Sequence, residues 1–67
     1  MKFILNKQDE TIDRDSISVS DLLELKKYTF KMLVVKINDR IIKRDEYPDT
    51  FIQEGDDVLV LHLMSGG

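Results

Sequence analysis

With 67 residues the chain holds one domain at most, and a domain of that size buries only about 60% of its unfolded surface, so there is no room for a catalytic cleft between domains. Its 42% hydrophobic and 34% charged residues describe a globular chain, while a net charge of −3, from 10 basic against 13 acidic residues, argues against a nucleic-acid binder. The lack of cysteine removes disulfides, thiolate metal sites and Cys nucleophiles together.

Lys2-Phe3-Ile4-Leu5-Asn6 reads as a short strand in which Phe3 and Leu5 share one face and Ile4 takes the other. Lys7-Gln8-Asp9-Glu10 is the predicted turn, with Thr11-Ile12-Asp13 returning as a polar second strand suited to a sheet edge. Arg14-Asp15-Ser16 links this hairpin to a helix. Ser18 followed by Asp21 is a near-match to a capping box, with Ser20 as a second candidate cap. Val19, Leu22 and Leu23 fall at i, i+3 and i+4, and Lys26-Lys27 stand where the helix dipole favours cations, so a helix is predicted from Val19 to Tyr28.

Leu33-Val34-Val35-Lys36-Ile37-Asn38 is the third predicted strand, Asn38-Asp39 begins a turn, and Ile41-Ile42 is a brief fourth extended piece. The charged segment from Lys43 to Asp49, with Pro48 near its end, is predicted to be a surface loop with room for one helical turn. Thr50-Phe51-Ile52 is predicted to return two large apolar groups to the core. Glu54-Gly55-Asp56-Asp57 is a tight turn in which Gly55 takes a positive φ. Its three acids lack the loop length and ligand count that calcium requires, so they are read as solvated turn residues and no metal site is predicted. The last strand runs from Val58 to Met64, straight into Ser65-Gly66-Gly67. Met1-Lys2 runs directly into a strand-like segment with no leader pattern, and the Val58–Met64 run is far too short to span a bilayer. A soluble, cytoplasmic protein without membrane contact is therefore expected. One helix on a small mixed sheet is the economical arrangement for this element order, with the first and last strands central and paired parallel across the helical connection.

No catalytic constellation can be composed from these residues. His62 is the sole histidine and has no Ser and acid arranged around it; it reads as a half-exposed strand residue. Gly55 is isolated, which rules out a glycine-rich phosphate loop. What remains is the ending. Two glycines after a core strand present a backbone carboxylate on a stalk thin enough for a channel that excludes larger residues, and three extended residues reach about 10 Å. Such a carboxylate is ionised at neutral pH, with a pKa of about 3.3–3.7, and resists nucleophilic attack until another enzyme activates it.

Taken together, Asn38-Asp39-Arg40-Ile41-Ile42, Arg44, Tyr47, Ile52, Glu54-Gly55-Asp56, Val58 and the final Gly66-Gly67 resemble the ThiS-type sulfur carrier proteins of thiamine biosynthesis, in the MoaD/ThiS superfamily. Met64-Ser65 stands where many members carry a third glycine, or Ala or Val. The resemblance spans essentially the whole chain and implies an α+β, ubiquitin-like β-grasp domain over residues 1–64, a small mixed sheet packed on one helix, with a flexible functional tail at 65–67. It implies a protein co-substrate, not an enzyme, that binds no cofactor. A ThiF-type adenylating enzyme would use ATP to convert the carboxylate of Gly67 to an acyl-adenylate. Sulfur from a cysteine desulfurase persulfide would then replace AMP, and the resulting thiocarboxylate would supply a ThiG-type thiazole synthase. Gly66 and Ser65 would thread the partner's channel. The free protein is expected to be a monomer.

Docking needs a surface as well as a tail. The last strand is apolar on both parities and one helix covers only one face. Val58 and Val60 are predicted to face the helix, leaving Leu59, Leu61 and Leu63, with Met64, as a partner interface beside the tail. The small subunit of molybdopterin synthase, with the same tail chemistry, a ubiquitin-like protein modifier joined through Gly67, and a plain binding module remain open as other readings.

Overall fold

The computed structural model describes residues 1–28 and 32–62. Leu63 and Met64 of the predicted last strand, the tail Ser65-Gly66-Gly67, and hence the boundary between the 1–64 domain and its tail, lie outside the described residues.

Strand β1 (Lys2–Leu5) returns as β2 (Gln8–Thr11) through a turn tighter and earlier than predicted. Asn6 and Lys7 have φ of 52° and 68°. Two consecutive left-handed residues make a two-residue hairpin whose twist matches the flanking strands, so Leu5 pairs with Gln8 and Lys2 with Thr11. Gln8, Asp9 and Glu10 are therefore strand, not turn; they are polar on both faces because β2 is an edge. Two-residue strand β3 (Ile17–Ser18) leads directly into α1 (Val19–Leu25). Ser18 is the N-cap, its Oγ accepting from the Asp21 N–H at 3.0 Å. The helix ends before Tyr28, where the prediction placed its last residue, because Lys27 enters the left-handed region at φ 59°. That conformation closes helices, here without the usual glycine.

Strand β4 (Leu33–Ile37) turns at Asn38 and Asp39, with φ of 51° and 69°, into β5 (Arg40–Ile42). The charged segment after it contains a 3-10 helix, Arg44–Asp49, which buries Tyr47. Strand β6 (Phe51–Ile52) pairs antiparallel with β3, a second, two-stranded sheet that was not anticipated. It corrects the expectation for this segment: Ile52 is fully buried, whereas Phe51, on the opposite parity, is 53% exposed. The following turn is stitched to β1. The Lys2 backbone N–H donates to Glu54 Oε1 at 2.9 Å, and the Gly55 N–H donates to the Lys2 carbonyl at 2.7 Å. Gly55 has the predicted positive φ, +84°, and a Cβ there would meet nothing within 4 Å, so glycine is required for its backbone and not for space.

Strand β7 (Asp57–His62) is the middle of the five-stranded sheet, order β2-β1-β7-β4-β5. It runs parallel to β1, as expected for the first and last strands, and antiparallel to β4. Alternate residues Phe3, Leu5, Val35, Ile42, Val58 and Val60 point into one core with Val19 and Leu22 of α1, Ile17, Ile52 and Tyr47. This is the β-grasp arrangement. Among the described residues no helix is long and apolar enough to cross a membrane.

Candidate functional site

Two asparagines fix β7 where the chain needs it. The Val60 N–H donates to Asn6 Oδ1 at 2.7 Å, and the Asn6 N–H donates to the Val58 carbonyl at 2.9 Å. On the opposite flank Asn38 does the same: its Oδ1 accepts from the Asp57 N–H at 3.0 Å and its N–H donates to the Asp57 carbonyl at 2.8 Å. Each asparagine uses the side chain that makes left-handed φ tolerable to extend the ladder beyond the end of its own strand.

This placement decides which side of β7 faces outward. Val58 and Val60 are buried, as predicted for the helix side. Leu61 is 44% exposed and Leu59 is half-buried on the opposite face. Across the ladder Leu61 sits opposite Val34, and Leu59 opposite Lys36, which in turn faces Ile41. Ile4, on the other side of β7, lies on the same face at 38% exposure, and Ile41 stands 61% exposed. The apolar surface therefore crosses four strands. Of the predicted interface, Leu59 and Leu61 belong to it. Leu63 and Met64, like the tail residues Ser65, Gly66 and Gly67, lie outside the described residues. Ile41 was missed; its signal was the Ile41-Ile42 pair, of which only one member can face the core in an extended strand. His62 is exposed at the end of β7, opposite Leu33.

Two acids of the 54–57 turn, Glu54 and Asp56, are occupied in hydrogen bonds that hold neighbouring segments. Asp56 Oδ2 accepts from the Gln53 N–H at 2.9 Å and Asp56 Oδ1 from Asn38 Nδ2 at 3.1 Å. Among the described residues no three His, Asp or Glu side chains gather in a way that could hold a metal ion. Burial pushes the Tyr47 phenol above its usual range, against the Arg44 guanidinium, which lowers it. The dominant cause is its place in the core.

Comparison with known proteins bears on the chain as a whole. The ThiS family model matches residues 3–67. The chain belongs to the ThiS family. A crystal structure of the thiamine biosynthesis protein (ThiS) from Geobacter metallireducens is similar over its whole length, with a TM-score of 0.90, 29% identity and 100% of both chains covered. An NMR solution structure of a thiamine biosynthesis protein from the same organism gives 0.80 at 29% identity, covering 100% of this chain and 88% of that one. No curated protein sequence matches the chain significantly. The ThiS model extends through Gly66-Gly67, so the family match includes the ending that the sequence singled out as well as the described domain.

Proposed function

We propose that the chain is a sulfur carrier of thiamine biosynthesis that acts as a protein co-substrate, with its chemistry confined to the carboxylate of Gly67. The observation that carries this reading is the family match, which runs from β1 through Gly67. The domain supports it physically by presenting an apolar face on the strand that leads to the tail.

In the proposed cycle a ThiF-type enzyme docks on the open face, and Ser65 and Gly66 thread its channel. A carboxylate oxygen of Gly67 attacks the α-phosphorus of ATP, releasing pyrophosphate and leaving an acyl-adenylate. AMP is the good leaving group that an ionised carboxylate lacks. The terminal sulfur of a persulfide, formed by a cysteine desulfurase, attacks the acyl carbon and expels AMP. A second thiol cleaves the resulting acyl disulfide, is itself oxidised to a disulfide, and leaves the thiocarboxylate. A ThiG-type thiazole synthase then takes that sulfur. This domain contributes position and reach, while its partners contribute ATP, persulfide and catalytic groups.

Intact-mass measurement tests this. After incubation with ATP, a sulfur donor and the adenylating enzyme, the chain should gain the mass difference between sulfur and oxygen, and deletion of Gly67 should abolish the gain. No gain with a partner active on its own carrier overturns the proposal. Isopeptide-linked conjugates in place of the thiocarboxylate would identify a protein modifier. Sulfur transfer to a molybdopterin precursor, with none to thiazole synthase, would move the chain to the other pathway.

A further inference from the structure

The open face is not uniformly apolar. Reading the register from the 54–57 turn toward the tail, the exposed pair Lys2 and Thr11 comes first and an acidic row follows, with Ile4 between Asp9 on β2 and Asp57 on β7. The next row holds Leu59, Lys36 and Ile41 in adjacent strands. The last described row pairs Val34 with Leu61 and has no charge. Lys36 is the cation in the middle of this sequence. It is half-buried, and among the described residues its side chain makes no ion pair or hydrogen bond. The ion pairs among the described residues, Lys26 with Glu10 at 2.7 Å and Arg14 with Asp21 at 3.8 Å, lie elsewhere. Asp57, diagonal to Lys36 across the β4–β7 ladder, comes no nearer than an unbridged neighbour, and its Oδ1 is buried without a hydrogen bond.

An ammonium at the centre of an apolar face is tolerable while water reaches its tip. Docking against a wholly apolar surface would strip that water with nothing in return, and an unpaired buried charge is among the most costly features an interface can hold. Pairing within the domain does not remove the problem, since no acid bridges Lys36. Resting on the carrier reading above, the geometry points to a carboxylate on the activating enzyme's docking surface, set in an apolar patch and placed to meet Lys36. The acidic row of Asp9 and Asp57 repels the same carboxylate, so the pairing also fixes the direction in which the domain lands, with its tail end toward the ATP site. Lys36 is thus a positioning residue: it selects the partner and its orientation and takes no part in acyl transfer.

The test is equilibrium binding of the full chain to the adenylating enzyme, with stopped-flow association at several salt concentrations, for wild type, Lys36→Arg, Lys36→Met and Lys36→Glu. Circular dichroism confirms that each variant is folded. Truncating one partner of a desolvated charge pair should weaken affinity about tenfold for Lys36→Met and about a hundredfold for Lys36→Glu, with Lys36→Arg within about threefold of wild type. Added salt should slow association of wild type more than that of Lys36→Met. If Lys36→Met binds as tightly as wild type or more tightly, or if Lys36→Glu matches Lys36→Met, no carboxylate lies opposite and the inference fails while the carrier reading stands. If wild type neither binds the enzyme nor gains mass with it, the carrier reading fails and takes this inference with it.

Discussion

On the helix side of the sheet, Phe3, Leu5, Val35, Val58 and Val60 are buried against Val19 and Leu22. On the other side Ile4, Ile41 and Leu61, residues of the same chemistry one position along the same strands, remain 38–61% exposed. Composition does not separate these two groups; parity does. A strand with apolar residues at both parities is buried on both faces in a layered α/β protein. Here one seven-residue helix leaves the second face uncovered. The buried face supplies stability and the open face supplies surface for association, so substitutions at neighbouring positions should have opposite consequences.

The sharpest contrast is within β7. Val58→Asp places an unpaired carboxylate at a fully buried site, a cost of several kcal/mol against a total stability of about 5–15 kcal/mol. The protein should be unfolded by circular dichroism. Leu22→Ala, also at a fully buried site, should lose about 2–5 kcal/mol, measured by urea denaturation. Asn38→Ala attacks the device that keeps the two faces distinct. It removes the bond to the Asp57 N–H and puts alanine at φ 51°, for a loss of about 2 kcal/mol. Asn38→Gly should recover only the backbone part. Because a one-residue slip of β7 would exchange Val58 and Val60 for Leu59 and Leu61, amide exchange in β7 should rise in the Asn38→Ala variant more than in α1.

A smaller effect tests the helix side by pH. The folded state holds the Tyr47 phenol above the ordinary tyrosine value of about 10, so its contribution is fully present below that pH. It is lost as pH rises through the folded value, because the unfolded chain gives up the proton first. Urea midpoints should fall above about pH 10, and less so in Tyr47→Phe. Smallest of all, Leu61→Asp on the open face should change stability by no more than about 0.5 kcal/mol while abolishing measurable binding to the adenylating enzyme. A loss of several kcal/mol there would show that the open face is structural after all.

Much of this division was legible in the residues. The Ser18 cap, the Val19–Leu22 face, the Asn38 turn, the positive φ of Gly55 and the inward parity of Val58 and Val60 all follow from local rules, and the structure contains them. The errors have physical causes. Strand β2 has no apolar alternation because an edge strand needs none, so Gln8, Asp9 and Glu10 read as turn and only Thr11 as strand. Strands β3 and β6 are two residues long, too short to show a period. Phe51 was assigned to the core by its size, but its parity is set by pairing with Ser18, which no local pattern announces. Lys27 ends the helix without a glycine to mark it. For the open face, alternation placed Leu59 and Leu61 on it, whereas the places of Ile41 and Lys36 depend on cross-strand register. The tail was singled out on chemical and not structural grounds: two glycines and a carboxylate need no partner in the fold to draw notice.

The position of β7 has a consequence for synthesis. This strand is the middle of the sheet and the last one described in the chain, and it pairs with β1 across more than 50 residues: Ile4 lies beside Asp57 and Leu5 beside Val58. While a ribosome adds residues at roughly 5–20 per second, β1–β2 and β4–β5 can form only as separate hairpins, each marginal alone. The sheet cannot close until β7 has cleared the exit tunnel. A nascent chain interrupted before that point therefore has no core and remains open to proteolysis, so the pool of folded molecules is screened for copies whose translation has passed β7.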